Sequence, residues 1–311
     1  MRPLFDRRYF LKTSLATGVL ALSPWAGDTL LAADAASLIR RTIPSTGEQI
    51  PVVGMGSYRT FDIALDDAEA RRRMRRVLAR FVDGGGRVID SSPMYGRAES
   101  VIGELAGELG VTDRLWMATK VWTHGRDAGV AQMERSLERL GVATMDLVQV
   151  HNLVDLATHL ATLRAWKAEG RLRYIGVTHY IASQHDELAR LIEKYPLDFV
   201  QFNYNVVERN AEERLLPACA DNGVATLINE PFEQGRLFSR VEGRELPAWA
   251  EEIGCTSWAQ LGLKFIIGHP AVTAVIPATS DPEHAAENVA AGRGALPDRA
   301  MRERIARAMS S

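Results

Sequence analysis

A repeated unit, in which a short strand-like run precedes a longer helix-like segment, constrains the fold of this chain more than any other feature. Eight β-branched runs occur between Pro51 and Ile276, and a polar residue stands at the end of each. The first six spacings between these end residues are 23 to 33 residues, the length of one strand–helix unit. The last spacing, of 50 residues, contains an added excursion over residues 230–252. The eight end residues are Ser57, Asp90, Lys120, His151, Thr178, Gln201, Asn229 and Thr279.

Eight such units predict an α/β fold of the (β/α)8 (TIM) barrel type, since this fold needs about 250 residues and carries its site at the carboxyl ends of the strands. The alternative is a doubly wound dinucleotide-binding sheet, whose glycine-rich fingerprint should follow the first strand. Residues 54–57 offer only two glycines, and no helix pattern follows them directly. Residues 84–86 are three glycines that precede a strand, which is typical of a helix end and a turn. The barrel is therefore the better interpretation.

The first 35 residues have the pattern of an export signal. Arg7 and Arg8 form a twin-arginine pair, an uncharged run covers residues 13–27, and residues 33–35 read Ala-Asp-Ala, the form of a signal-peptidase site. The uncharged run is shorter than the roughly 20 residues of a membrane span. We predict a twin-arginine (Tat) signal peptide over residues 1–35 and a barrel domain over residues 36–311. The expected location is the periplasm, with the Tat export machinery as a partner and no stable membrane span.

Composition excludes several classes of function. The formal net charge of −2 argues against a nucleic-acid-binding protein, which needs a basic excess. Two cysteines, Cys219 and Cys255, exclude a disulfide scaffold and a four-thiolate metal site, and both fall in segments that we predict to be helical with buried free thiols. The seven histidines show no metal-ligand spacing, so no metal is expected.

Four side chains that follow three successive strands carry the chemistry. Asp90, Lys120 and His151 end their strands, and Tyr95 lies on the loop after Asp90. A phenol has an ordinary pKa near 10, and a nearby ammonium lowers that pKa by stabilising the phenolate. A carboxylate can hold the ammonium, and an imidazole can bind the same oxygen that the phenol polarises. Each residue alone has an ordinary structural explanation, but together they indicate proton transfer to a carbonyl oxygen while a hydride arrives at carbon.

These residues resemble the aldo-keto reductases. The segment Asp90-Ser-Ser-Pro-Met-Tyr95-Gly is similar to the Asp-x-x-x-x-Tyr-Gly segment of that family, and the strand ends at Lys120 and His151 are similar to its Thr-Lys and histidine strand ends. The resemblance extends over about residues 42–288. It implies NAD(P)H-dependent reduction of an aldehyde or ketone to an alcohol, with Tyr95 as general acid. Lys120 and Asp90 would tune Tyr95, and His151 would orient the substrate.

The same resemblance implies a nicotinamide site with NADP as the family's usual cofactor and NAD as a possible one. Two departures stand out: His179 replaces the usual asparagine, and Asn229-Glu230 replaces a Tyr-Ser pair whose tyrosine stacks on the ring. Neither Ala278 nor His284 supplies the permanent cation that commonly binds the 2′-phosphate. The implied cofactor-binding residues are Ser57, Asp90, Thr178, His179, Gln201, Asn229, Pro231, Phe232, Arg236, Leu237, Ala278, Thr279, Ser280, His284, Glu287 and Asn288.

An apolar cup above the four catalytic positions is expected to receive a small-molecule carbonyl substrate with an apolar or aromatic body. Its predicted residues are Tyr58, Met94 and Trp122. Two other functions remain open from the sequence alone. One is a catalytically silent nicotinamide-nucleotide-binding module that senses redox state, which the changes at Asn229 and Glu230 favour. The other is a barrel hydrolase or lyase that uses Asp90 and His151 without a dinucleotide.

Overall fold

The computed structural model describes residues 37–310, which belong to one compact unit. The predicted signal peptide over residues 1–35 lies outside the described residues. The described chain begins with an antiparallel hairpin of β1 (Arg40–Thr42) and β2 (Gln49–Pro51). Pro51 therefore belongs to this hairpin, not to the first barrel strand as the sequence suggested. The β-branched run is divided because its first residue pairs with Arg40 while Gly54 already donates to Val275 O at 2.8 Å.

Eight parallel strands follow one another around a barrel in chain order, which confirms the predicted (β/α)8 fold. A parallel bridge between Val53 and Val275 joins the first strand to the last, and the N–H of Gly56 donates to Pro277 O at 3.0 Å at the same seam. The strands are β3 (Met55–Gly56), β4 (Val88–Asp90), β5 (Trp116–Val121), β6 (Met145–His151), β7 (Leu172–Thr178), β8 (Phe199–Asn203), β9 (Ala225–Asn229) and β10 (Ala274–Val275).

Eight of the described helices lie between successive strands, two follow the last strand, and all bury apolar side chains. In the first of them, Met74, Val77 and Phe81 are buried, and Asp67 caps the helix by accepting from the N–H groups of the first turn. The helices are α1 (Ala68–Asp83), α2 (Ala98–Leu109), α3 (Arg126–Leu140), α4 (Leu156–Ala168), α5 (His185–Lys194), α6 (Leu215–Asp221), α7 (Arg236–Ser239), α8 (Trp258–Ile267), α9 (Pro282–Ala290) and α10 (Arg299–Ser310). Two of these, α6 and α7, are only one or two turns long.

The barrel interior changes from apolar at one end to polar at the other. Every second residue of a strand faces the same side, so Trp116, Tyr174 and Phe199 fill the amino-terminal end, and the hairpin adds the buried Ile43 and Ile50 there. At the other end of the same strands, Lys120 lies four residues after Trp116, Thr178 four residues after Tyr174, and Gln201 two residues after Phe199. The apolar end stabilises the fold, and the polar end forms the site.

Other local predictions can be compared with the structure. Gly85, with φ of +93°, follows α1 in the left-handed region, which confirms the predicted turn. The excursion over residues 230–252 is present and contains α7 between short 3-10 turns. Cys219 and Cys255 are both buried and free as predicted. The prediction of a helix at Cys255 is wrong, because α8 begins only at Trp258, where Ser257 caps it.

Two features are absent from residues 37–310. No helix in this range combines the length and hydropathy that crossing a membrane requires. The same range contains no group of three or more His, Cys, Asp or Glu side chains arranged to hold a metal ion.

Candidate active site

A cavity of about 600 Å³ opens at the carboxyl ends of the strands, where the sequence predicted the site. Its floor is formed by strand-end residues, and its walls by the loops that follow β3, β4 and β9. Of the four predicted catalytic residues, Asp90, Tyr95 and His151 line the cavity directly. Lys120 lies beneath them and is fully buried. The fold therefore brings all four together.

Lys120 and Asp90 form a buried ion pair under the floor. The Nζ atom of Lys120 lies 2.6 Å from Asp90 Oδ2 and donates a second hydrogen bond to Ser91 O at 2.7 Å. Lys120 is 0% exposed and Asp90 is 3% exposed, so water screens neither charge. The pair forms because β4 and β5 are neighbouring strands, and both side chains point into the barrel near the carboxyl ends of these strands.

Tyr95 stands directly above this pair. It lies in the turn between β4 and α2, where its N–H donates to Ser92 O at 3.0 Å. The centroid of its ring lies 4.9 Å from Lys120 Nζ. Burial raises the pKa of the Tyr95 phenol and outweighs the opposing effect of the Lys120 ammonium. The phenol is therefore protonated at neutral pH and can act as a proton donor.

The charge of Lys120 is also secured by its neighbours. Burial by itself disfavours an ammonium, but Asp90 and then Tyr95 outweigh that effect and raise the pKa of Lys120 above its ordinary value. A permanent positive charge thus lies under the phenol ring. Any negative charge that develops on the Tyr95 oxygen during proton donation would be stabilised by this ammonium.

His151 faces the cavity as a neutral imidazole. Burial, reinforced by the positive charge of Lys120, lowers the pKa of His151 to about 3. Its Nδ1 lies 3.2 Å from Ser92 Oγ, which fixes the ring from behind. The ring meets that of Tyr95 edge-on with centroids 6.0 Å apart. A neutral imidazole can donate a hydrogen bond to a carbonyl oxygen, while the neighbouring phenol keeps its own proton for transfer.

The predicted cofactor residues separate into two groups. Those that line the cavity are Ser57, Asp90, Thr178, Gln201, Asn229, Pro231, Phe232 and Ala278. Within this group Thr178, Gln201 and Asn229 are joined by hydrogen bonds, with Gln201 Oε1 accepting from both of the others at 3.0 and 3.5 Å. Ser57 donates to Ser91 Oγ at 3.0 Å. The hydrogen-bonded side chains of Thr178, Gln201 and Asn229 form a polar wall, and Pro231, Phe232 and Ala278 add apolar surface beside it.

The other predicted cofactor residues lie outside the cavity lining: His179, Arg236, Leu237, Thr279, Ser280, His284, Glu287 and Asn288. The Nδ1 of His179 accepts from Ile181 N at 3.2 Å, and its ring stacks on Tyr180. Leu237 is fully buried in the hydrophobic core, so its side chain cannot reach a bound phosphate. Asp281 caps α9 by accepting from Glu283 N at 2.8 Å and from His284 N at 3.4 Å.

The predicted substrate residues are divided in the same way. Tyr58 and Met94 line the cavity, and the ring of Tyr58 lies 5.0 Å from that of Tyr95. Trp122 is 41% exposed and lies outside the lining. The lining residues that the sequence did not suggest are Gly56, Arg59, Thr60, Asn152, Tyr180, Glu230, Gln234, Gly235, Phe238 and Ile276. Most lie one to three residues beyond a polar strand end or within the excursion, which is the signal that would have found them.

One supporting residue was missed, and a second has a contact that the sequence did not suggest. Gln149 precedes His151 by two positions on β6 and so points inward, where its Nε2 lies 3.4 Å from Asp90 Oδ1. Gln201 donates to the same oxygen at 2.8 Å. Asp90 is therefore held by two amides as well as by Lys120.

Comparison with known proteins agrees with this geometry. Residues 52–305 match the model of the Aldo/keto reductase family, a range that includes all eight barrel strands and the whole cavity. The chain belongs to the aldo/keto reductase family. The resemblance read from the segments around Asp90, Lys120 and His151 is confirmed at the level of the family.

Individual relatives are distant but extend over most of the barrel. An aldo-keto reductase of Bacillus subtilis (strain 168) is 27% identical over 64% of this chain, and the match spans 64% of that relative's length. A methylglyoxal reductase of Escherichia coli (strain K12) is 27% identical over 78% of this chain and 85% of its own. The crystal structure of an aldo-keto reductase from Klebsiella pneumoniae in complex with NADPH superimposes with a TM-score of 0.73. It is 26% identical and covers 87% of this chain and 95% of that one.

Proposed function

We propose that this member of the aldo/keto reductase family is an oxidoreductase that reduces an aldehyde or ketone to an alcohol with NADPH. The observation that carries the proposal is the buried Lys120–Asp90 pair under the ring of Tyr95, with neutral His151 beside it. This set supplies a proton donor, a charge that stabilises the donor's conjugate base, and an uncharged hydrogen-bonding group. No nucleophilic side chain is needed, because the hydride that attacks the carbonyl carbon comes from the cofactor.

The cavity fits a nicotinamide cofactor in its polar wall. Asn229 lines the cavity together with Thr178 and Gln201, and its Oδ1 is a buried oxygen without a hydrogen-bond partner. An amide-bearing ring satisfies such an oxygen, whereas a purely apolar ligand leaves it unpaired. Phe232 lines the same wall and offers an aromatic face. NADP is the cofactor proposed, in line with the NADPH complex of the Klebsiella pneumoniae relative.

When bound, the reduced nicotinamide supplies the hydride that reduces the carbonyl carbon. The Tyr95 hydroxyl donates its proton to the carbonyl oxygen, and the ammonium of Lys120 stabilises the phenolate that remains. His151 binds the carbonyl oxygen and directs it towards Tyr95. Asp90 keeps Lys120 in place. The products are the alcohol and an oxidised cofactor, and Tyr95 regains its proton from solvent through the open cavity.

The test is a titration of the purified chain, residues 36–311, with NADPH and with NADH, followed by quenching of tryptophan fluorescence. Micromolar binding and consumption of the reduced cofactor with an aromatic aldehyde are the expected results. Binding without turnover over a broad panel of aldehydes and ketones would instead support a silent nucleotide-binding module. Turnover of a substrate in the absence of any dinucleotide would support a hydrolase or lyase.

We further propose that residues 1–35 direct this enzyme through the Tat pathway to the periplasm. The support is the Arg7-Arg8 pair, the uncharged run that follows and the Ala-Asp-Ala site. Because this route carries folded proteins, the chain would acquire its cofactor before export. Replacement of both arginines by lysine should retain the protein in the cytoplasm of a Tat-competent bacterium. Equal export of the wild type and the double variant would refute this.

A further inference from the structure

The orientation of three side chains in the polar wall is determined by what each can donate or accept. The carboxylate of Asp90 only accepts hydrogen bonds, so Gln201 must present its Nε2 to it, and the two atoms lie 2.8 Å apart. The Oε1 of Gln201 then faces the opposite way. There it accepts from Thr178 Oγ1 at 3.0 Å and from Asn229 Nδ2 at 3.5 Å.

Gln201 therefore has its acceptor capacity filled inside the protein. A carbonyl oxygen has two lone pairs, and both are used by Thr178 and Asn229. One N–H of its Nε2 donates to Asp90, a residue of the catalytic set. The resemblance implies Gln201 as a cofactor-binding residue, but Gln201 could accept from a carboxamide NH₂ only by releasing an internal hydrogen bond.

Asn229 ends this chain of hydrogen bonds with one atom left over. Because Gln201 Oε1 is an acceptor, Asn229 must turn its Nδ2 towards it, which leaves Asn229 Oδ1 pointing away. That oxygen is buried and has no partner, and Asn229 lines the cavity. Another implied cofactor-binding residue, His179, accepts from Ile181 N through its Nδ1 and stacks its ring on Tyr180.

We infer that Asn229 binds the cofactor and that Gln201 supports catalysis. Asn229 Oδ1 accepts a hydrogen bond from the carboxamide NH₂ of the nicotinamide. Gln201 is a positioning residue that holds Asp90, and through it Lys120, under Tyr95. This inference rests on the proposed NAD(P)-dependent function. It links the two parts of the site, since the chain Asn229–Gln201–Asp90–Lys120 runs unbroken from the cofactor to the catalytic pair.

A cofactor analogue that lacks the amide NH₂ tests this assignment. The probes are NADP⁺ and its 3-acetylpyridine analogue, and the readout is the dissociation constant measured by tryptophan fluorescence. The wild type should bind NADP⁺ about fivefold more tightly than the analogue, the value of one neutral hydrogen bond. Asn229→Leu should bind both equally. Asn229→Asp, which keeps an acceptor oxygen at the same position, should keep the preference.

Two further variants separate the roles. Gln201→Met should lower kcat, because Asp90 and Lys120 lose their support. It should lower the preference for NADP⁺ over the analogue only in part, because Asn229 keeps its oxygen but loses the acceptor that orients it. Gln149→Leu is the matched control, since it also removes an unpartnered buried amide oxygen but from a residue outside the cavity lining. It should keep the preference in full. Melting temperatures of all variants identify any loss of fold.

The opposite pattern would overturn the inference. If Gln201→Met lost the preference and Asn229→Leu retained it, Gln201 would be the carboxamide ligand. Equal binding of NADP⁺ and the analogue by the wild type would refute the hydrogen bond to Asn229 while leaving the proposed reductase function intact. Failure of the wild type to bind either dinucleotide would reject both the inference and the proposed function.

Discussion

The cavity has two walls that differ in how closely they follow the family. The catalytic wall, formed by Asp90, Tyr95, Lys120 and His151, holds every residue type that the resemblance requires. The cofactor wall, formed by the ends of β7 to β10 and the loops after them, departs at Asn229, Glu230 and Ala278, and His179 and His284 outside the cavity lining depart as well.

The two walls differ in how strictly their function determines the residue at each position. Proton transfer depends on individual atoms at fixed positions, and a buried ion pair such as Lys120–Asp90 cannot lose one member without exposing the other to an apolar environment. A dinucleotide is large and makes many modest contacts, so one contact can move to a neighbouring side chain. The exchange inferred for Gln201 and Asn229 is a case of this kind.

The sharpest test of the catalytic wall is Tyr95→Phe. Removing the hydroxyl removes the proton donor but keeps the ring that packs against Lys120 and Tyr58. General acid catalysis contributes about 10² to 10⁴ in rate, and we expect kcat for an aromatic aldehyde to fall by about 10³. The affinity for NADPH, measured by fluorescence, should remain within about twofold because Tyr95 lies in the other wall.

Tyr195→Phe is the control, because this tyrosine lies at the end of α5, outside the cavity lining. It should leave kcat unchanged. Turnover by Tyr95→Phe close to that of the wild type would show that another group donates the proton. The catalytic wall would then not contain the proton donor of the reaction.

Lys120→Met should produce the next largest effect, on stability. It leaves the carboxylate of Asp90 buried with only two amide donors, and breaking a buried pair in this way costs about 3 to 5 kcal/mol of the free energy of unfolding. Arg190→Met breaks an exposed pair with Glu187 and should cost less than about 1 kcal/mol. Urea denaturation of both variants measures the difference. Similar costs would mean that Asp90 is neutralised in another way.

The sequence was sufficient for the barrel and for the catalytic wall because both depend on local regularities. The strand ends at Asp90, Lys120 and His151 repeat at nearly constant spacing, and inward alternation then places their side chains together. The hairpin of β1 and β2 was missed because its strands have three residues each, too few to show a period.

The cofactor wall was less predictable because its contacts depend on orientation. A sequence does not show that the Nδ1 of His179 accepts from Ile181 N, or that the side chain of Leu237 packs into the core. Nor does it show that Gln201 donates a hydrogen bond to Asp90, a residue 111 positions earlier in the chain. These outcomes follow from competition among neighbouring donors and acceptors, which only the folded arrangement determines.

The cofactor wall can be sharpened by adding a cation. His284 is exposed in the first turn of α9, near the cap formed by Asp281. His284→Arg should tighten binding of NADPH by about fivefold through a charge-assisted contact with the 2′-phosphate, and should leave NADH unchanged. His124→Arg adds the same charge at an exposed position after β5 and should alter neither. Equal tightening of both cofactors by His284→Arg would place the 2′-phosphate elsewhere.

The smallest expected effect on activity is that of pH between 5 and 8. Burial, with Lys120 nearby, lowers the pKa of His151 to about 3, so the imidazole stays neutral throughout this range. Burial raises the pKa of Tyr95, so the phenol keeps its proton as well. We therefore expect kcat/KM for a neutral aldehyde to vary by less than about twofold while the protein is folded. A decline with a midpoint near 6.5 would show that His151 titrates like an exposed histidine.

The free energy of unfolding, unlike the activity, should change with pH because of the same pKa shift at His151. Below pH 6.5 the unfolded chain protonates His151 at its ordinary pKa, whereas the folded chain does not until about pH 3. The unfolded state thus binds more protons in this interval, and the free energy of unfolding must fall as the pH is lowered. The melting temperature of the wild type should therefore decrease from pH 7 to pH 4, and that of His151→Gln should decrease less. Equal slopes for the two proteins would assign the acid sensitivity to other groups and separate it from the catalytic wall.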